Sequence, residues 1–469
     1  MLWAAWRRRS ALTEGGRRLN FVLLYLVLVL PATLLLNFAF VNFHAPDDYD
    51  HVKRAYTLVH APLAAVTPPG QSTGAMIDAG LADYIAAQRP VSVIAARPLP
   101  QADAAAFRSG GNIGWTGQER FSELPGAIGY FPALYAPQTL ALEIGRRTGA
   151  TIEHSVLGAR LANGLVAIAL VALGLRLLPF GHSLVLAVLL LPRSLLQFAS
   201  NSADPILYGL ALVVVAIGLQ RADRLNRLRP NGLAAAALFI AAAVRPPIAA
   251  LGCTLGLQAL RNRKWLNLLV LAAAVAGAAL WTLWIRAQVL DLRCGIGEAT
   301  GPRAAAFATQ WPRLIGHSLS DRGLYYLFSF IGHFGWGDGL GGRISQPLLP
   351  WMYASSIVVL GLSVGCDVRS RATLDRLARL SLAVGAAAAV LLTFFALYVG
   401  CSGSEPSVIV GVQGRYFAPA LFAVAPALSG LAPAAAKDRL QTLFPVVLAM
   451  WVAACVAGMA WEAQALYRI

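Results

Sequence analysis

Carboxylates stand beside a histidine and cations in Pro46-Asp47-Asp48-Tyr49-Asp50-His51-Val52-Lys53-Arg54, directly after a long apolar run. Proline, then acids, then apolar residues is the pattern that opens a helix. On such a helix Asp47, Asp50, His51 and Arg54 share one face by their three- and four-residue spacing. Three carboxylates crowded at a membrane boundary repel one another, so at least one should carry a shifted pKa or hold a cation. A carboxylate so placed could take a proton from a hydroxyl. The plainer alternative is an acidic first turn that stabilises the helix by a few tenths to about 1 kcal/mol. A divalent metal among these acids is less favoured. Consecutive acids point in different directions, and no distant His/Cys cluster joins them.

A second constellation is Gly411-Val412-Gln413-Gly414-Arg415-Tyr416-Phe417. The guanidinium fork bonds two phosphate oxygens, and flanking glycines would let the backbone come close. Arg and Tyr anchoring a helix end at the interface is the other reading. Further candidates are single turns. Asn201 and Asp204 lie in Ala199-Ser200-Asn201-Ser202-Ala203-Asp204-Pro205, where Asp204 could simply cap the next helix. Tyr130 and Tyr135 lie in Gly129-Tyr130-Phe131-Pro132-Ala133-Leu134-Tyr135, and amphipathic aromatics suit any interface. Trp336 and Asp338 stand between glycines in Gly335-Trp336-Gly337-Asp338-Gly339. Such a Trp can stack on a sugar or sit at a membrane surface. Arg245, before Pro246-Pro247, is a cation close to the membrane, a functional candidate unless it snorkels to the surface.

The elements that must position these residues are membrane helices. Apolar residues make up 58% of the 469 and charged residues 13%, against roughly 25% charged in soluble proteins. A soluble enzyme, a disordered chain and a disulfide-stapled module are excluded. A span needs about 20 mostly apolar residues. Runs at 21–43, 157–178, 183–200, 205–220, 231–245, 247–260, 265–285, 347–365, 380–400, 416–434 and 443–461 suggest eleven. The first is too long for a signal peptide and lacks a cleavage site. The pair 231–260 is two short spans or one kinked helix. The expected fold is an all-α integral membrane domain over 1–469. Two long outside loops, 44–155 and 286–346, should carry short interfacial helices that roof a cavity.

The net charge of +16 would suggest nucleic acid in a soluble protein. Here the arginines and lysines cluster in alternate loops, which places them and the N-terminus in the cytoplasm and the C-terminus outside. Contact with anionic membrane lipids follows, and nucleic acid is not implied. Cys294 and Cys401 both fall outside and are free to pair in an oxidising compartment. Cys253, Cys366 and Cys455 read as small apolar residues.

Taken in order, these motifs resemble a family of bacterial polytopic inner-membrane proteins of unassigned function. That family carries a PDE…H signature after its first span and GVQGRY late in the chain. Pro46-Asp47-Asp48-Tyr49-Asp50-His51 matches the first, with Asp48 in place of the usual Glu, and residues 411–416 match the second unchanged. The family is similar to the GT-C glycosyltransferases, which use a polyprenyl-phosphate sugar as donor. The resemblance implies that Asp47 is the catalytic base, with Asp48 and His51 orienting it or binding the acceptor. Arg54, Tyr130, Tyr135, Asn201, Asp204, Trp336 and Asp338 would line the substrate site. Arg415, Gln413, Tyr416 and Arg245 would hold the lipid phosphate. One base with direct displacement implies inversion, onto a hydroxyl of a glycan or lipid-linked acceptor of the cell envelope. No resident cofactor follows, and a divalent metal stays open. The rivals are a transporter or flippase for lipid-linked sugars, a polymerase or ligase of lipid-linked oligosaccharides, and a non-catalytic scaffold.

Overall fold

The computed structural model describes residues 14–60, 63, 65–92, 100–220, 230–292, 300–334, 346–372, 374–402, 408–433 and 439–467. The chain is an all-α membrane protein with small additions of strand. Six helices are long and apolar enough to cross a membrane. They lie within α1 (Glu14–Ala39), α6 (Ile152–Leu177), α12 (Trp265–Arg286), α14 (Pro350–Val368), α15 (Arg376–Cys401) and α17 (Arg439–Leu466). The other apolar runs are helical but shorter: α7 (His182–Leu189), α8 (Pro192–Phe198), α9 (Asp204–Gly218), α10 (Pro230–Val244), α11 (Cys253–Arg261) and α16 (Ala418–Leu428).

The short helices form the interior. Every residue of α9 is buried, as befits a helix that is apolar all round. It packs against α6, α10, α11 and α16. A Cβ on Gly209 of α9 would lie 2.5 Å from Cβ of Leu170, and one on Gly174 of α6 would lie 2.7 Å from Leu212. Small residues therefore bring α6 and α9 into close contact. The periphery is the opposite case. Leu266, Leu269, Leu280 and Leu283 of α12 are all more than 60% exposed, a surface suited to lipid tails.

Several expectations change. Residues 231–260 are not one kinked helix, because a 3-10 turn, Pro246–Gly252, separates α10 from α11. Two successive prolines lack the N–H groups that an α-helix would need there. The first loop contains a sheet as well as helices. Strand β1 (Gly74–Asp78) pairs antiparallel with β2 (Glu119–Glu123), with Gly74 opposite Glu123. Around it lie α2 (Asp48–His60), α3 (Ala79–Ser92), α4 (Gln101–Gly110) and α5 (Ala136–Thr148). The second loop is dominated by one 32-residue helix, α13 (Thr300–Ile331), not by short ones. Phe307, Leu314 and Tyr325 of α13 pack in one cluster with Phe394 and Tyr398 of α15. That one-sided stripe, at spacings of seven and eleven residues, makes the helix amphipathic, so its mean hydropathy hides it. Cys401 is disulfide-bonded, while Cys294 lies outside the described residues. Cys253 is a free, exposed thiol, whereas Cys366 and Cys455 are buried.

Candidate active site

Segments far apart in sequence meet at one end of the bundle: the α1–α2 junction, residues 193–204, Arg245 and residues 413–416. The junction does not have the predicted form. Helix α2 begins at Asp48, and Asp47 precedes it at φ 61°. The Asp47 carbonyl accepts the His51 N–H at 3.1 Å, the first bond of the helix. Asp47 therefore does not share a helical face with Asp50, His51 and Arg54. Asp is among the few residues that tolerate this left-handed conformation. The twist carries the carboxylate toward Arg415, where Oδ2 lies 3.6 Å from Nη2 with the side chain still 42% exposed. Asp50 turns elsewhere and pairs with Lys53 at 3.2 Å.

Asp48 is fully buried and accepts the backbone N–H of Asn201 at 2.6 Å, which ties α2 to the turn before α9. Burial pushes its carboxyl up to about 7. Asp204 opens α9 without capping it. Its carboxylate instead lies between two cations, 2.7 Å from Arg245 Nη2 and 3.3 Å from Arg415 Nε. Arg245 thus turns inward and does not snorkel. The Tyr416 ring faces both guanidiniums, 4.3 Å from Arg245 and 5.3 Å from Arg415.

Two partners of this cluster escaped the sequence reading. Gln197, with its amide oxygen turned to the cations, accepts from Arg193 at 2.8 Å and Arg415 Nη1 at 3.2 Å, and its nitrogen donates to Ser202 at 2.8 Å. Arg193 is itself buried. Its charge inside the apolar run 183–200 was the signal that could have found it. Three guanidiniums (Arg193, Arg245, Arg415) thus face two carboxylates (Asp47, Asp204), an excess of one positive charge. In a buried, low-dielectric setting that excess favours an anion. His333, also unforeseen, is buried nearby, and burial followed by the charge of Arg193 holds it down to about 3.

The glycines of residues 411–417 do a different job from the one expected. A Cβ on Gly414 would collide with the Tyr326 carbonyl and the Phe330 nitrogen of α13. The Gly414 N–H donates to Ser329 Oγ at 2.8 Å. Gly414 therefore seats the Arg415 turn on α13, and Gly411 supplies a left-handed bend at φ 82°.

On the other side of Asp47, His51 Nδ1 lies 2.7 Å from the Tyr135 hydroxyl, and the Tyr130 ring lies 5.9 Å from the His51 ring. Burial lowers His51 to about 4, against the pull of Asp47 and Asp204, so it is neutral at neutral pH. Arg54 donates to the Tyr130 carbonyl at 3.2 Å and to Thr57 at 3.4 Å, which braces the tyrosine segment. The Asn201 amide and Gln413 Oε1 are buried without hydrogen-bond partners among the described residues, as expected of groups that bind a polar ligand. Trp336 and Asp338 lie outside the described residues. Among the described residues no group of three or more His, Cys, Asp or Glu could hold a metal.

His51 and Asp48 pull stability in opposite directions with pH. The folded pKa of His51 is depressed from 6.5 to about 4, so its contribution is lost as pH falls through that window. The folded pKa of Asp48 is raised from 3.8 to about 7, so its contribution is lost as pH rises through nearly the same range. The wild type should therefore show little net dependence from this pair. Asp48→Asn should unmask His51, with stability falling by up to about 3 kcal/mol as pH drops across the histidine window. Unfolding midpoints of both proteins across that range check this.

No curated protein and no solved structure matches the chain. The family model described as "Predicted membrane protein (DUF2142)" matches residues 31–424, which include every described residue of the site, and the chain belongs to that family of membrane proteins.

Proposed function

We propose that the protein is an inverting glycosyltransferase of GT-C type, moving a sugar from a polyprenyl-phosphate donor to a hydroxyl of an envelope glycan. The observation that carries the reading is a half-exposed carboxylate, Asp47, 3.6 Å from a buried arginine in a cation-rich pocket. A base and an anion-binding group side by side are what this displacement needs. The acceptor hydroxyl gives its proton to Asp47, and its oxygen forms the new bond to the anomeric carbon. The bond from that carbon to the phosphate oxygen breaks, and its electron pair leaves with the polyprenyl phosphate. Arg415, Arg193 and Arg245 face the charge that grows on the phosphate. Asp204 orients two of these guanidiniums and takes no proton. Asp48, buried beneath Asp47, positions the turn and does not touch substrate. His51, Tyr130, Tyr135 and Asn201 offer neutral donors and acceptors to sugar hydroxyls.

The proposed setting is the bacterial plasma membrane, with eleven crossings and the site on the outer side. The basic ends of α11 and α15, joined by the Arg261–Asp375 pair at 2.8 Å, then face the cytoplasm. Supporting this are the charge distribution among loops and the meeting of Asp47, Asp204, Arg245 and Arg415 at one end of the bundle. A flippase would share the cations but would need no base. The test is the anomeric configuration of the linkage formed in nanodiscs, read by NMR. Inversion supports displacement by one base. Retention, or translocation of donor with no new linkage, contradicts it.

A further inference from the structure

The far end of α2 borders a concavity that no residue of the cation pocket enters. This shallow concavity, open to solvent, is lined by Tyr56, His60, Trp115, Glu143 and Arg146. Three of its rings are nearly parallel. Tyr56 stacks on His60 at 4.2 Å and 15°, and on Trp115 at 5.9 Å and 11°. The indole is fixed at its edge, because Nε1 donates to Ser155 Oγ at 3.2 Å. Beside the rings, Glu143 accepts from Arg146 at 2.8 and 2.9 Å and from Arg147 at 2.7 Å. His60 Nε2 lies 3.8 Å from the same carboxylate. These side chains come from three separate stretches, α2, α5 and the loop before β2, brought together by the fold.

The chemistry of this concavity selects its ligand. Flat aromatic surface suits an apolar face. A carboxylate and guanidiniums at its edge accept and donate hydrogen bonds together. An anion would meet Glu143, whose cationic neighbours are already engaged, and a lipid tail would leave the charged rim unused. A neutral polyhydroxylated ring, with an apolar C–H face and a hydroxyl edge, satisfies both parts.

At 1.5 Å per residue, Tyr56 and His60 lie about 12–18 Å along α2 from Asp48. A single sugar cannot reach from Asp47 to this concavity, but a chain can. We infer that the concavity formed by Tyr56, His60, Trp115, Glu143 and Arg146 is a carbohydrate subsite that holds an acceptor glycan chain several units back from the hydroxyl presented to Asp47. The word "acceptor" rests on the glycosyl-transfer reading, whereas the binding of a glycan chain does not.

The test uses size-fractionated oligosaccharides from a partial hydrolysate of envelope polysaccharide, titrated against the full-length protein in nanodiscs. Wild type and Asp47→Asn should both bind the longer fractions at least about tenfold more tightly than the monosaccharide. Trp115→Ala should lose that gain, and Trp115→Phe should keep part of it. Glu143→Gln, a change at the rim, should also lose it and provides the reading if Trp115→Ala does not fold. Affinity independent of chain length, or a gain retained in folded Trp115→Ala and Glu143→Gln, overturns the subsite. Length-dependent binding with no sugar transfer by the wild type leaves the subsite standing and removes the glycosyltransferase reading instead.

Discussion

Asp47→Asn should lower turnover by about a hundredfold to ten-thousandfold, the range for loss of a positioned general base, while the protein stays folded and holds donor. The fold should survive because asparagine is at ease at the φ of 61° that this position adopts. Donor affinity should hold or rise slightly. The substitution removes a negative charge 3.6 Å from Arg415, and an incoming phosphate then meets a more positive pocket. Parallel measurement of single-turnover rates and of equilibrium binding of a polyprenyl-phosphate sugar separates the two effects. Equal loss of binding and rate would make Asp47 a structural partner of Arg415 and not a base.

Arg415→Ala should act on both stability and binding. Arg415 is 4% exposed, and Asp204, its partner at 3.3 Å, is 2% exposed. Removing one member of a buried pair leaves the other charge poorly compensated, at about 3–5 kcal/mol. Arg245 at 2.7 Å from Asp204 keeps the loss toward the lower end. Donor binding should weaken by tenfold or more, since the fork that meets two phosphate oxygens is gone. Arg415→Lys should retain most of the stability and still bind donor poorly, because a point charge does not reproduce the fork. The double change Arg415→Ala with Asp204→Asn should recover part of the stability and none of the donor affinity. Chemical unfolding and donor titration on the same preparations read both quantities. Recovery of binding along with stability would show that Arg415 serves only to neutralise Asp204.

The membrane class was legible because it rests on composition and on apolar run length, which survive without tertiary information. The grouping of Asp47, Asn201, Asp204, Arg245, Arg415 and Tyr416 was legible as a list of polar residues at helix ends. Their mutual contacts were not, since nothing local reveals that Asp204 faces Arg245 and Arg415 and leaves its own helix uncapped. Helical periodicity misplaced Asp47, because a left-handed residue ahead of the helix breaks the spacing on which a shared face depends. Arg193 and Gln197 were hidden inside an apolar run read only for its length. Gly414 was assigned to a ligand when its partner is the backbone of α13, a long-range contact with no local signature. Helix α13 was read as several short helices because its apolar residues lie on one face only, so no long apolar run marks its length.

The proposed site breaks the bond between a sugar and a polyprenyl phosphate. The most direct measurement is release of free polyprenyl phosphate from a labelled donor by wild type and Asp47→Asn in the same nanodiscs, with an envelope glycan as acceptor. Release coupled to glycan labelling is expected of the wild type, with near-complete loss of both in a variant that still binds donor. Donor bound by both proteins and cleaved by neither, across a panel of polyprenyl-phosphate sugars, would contradict it.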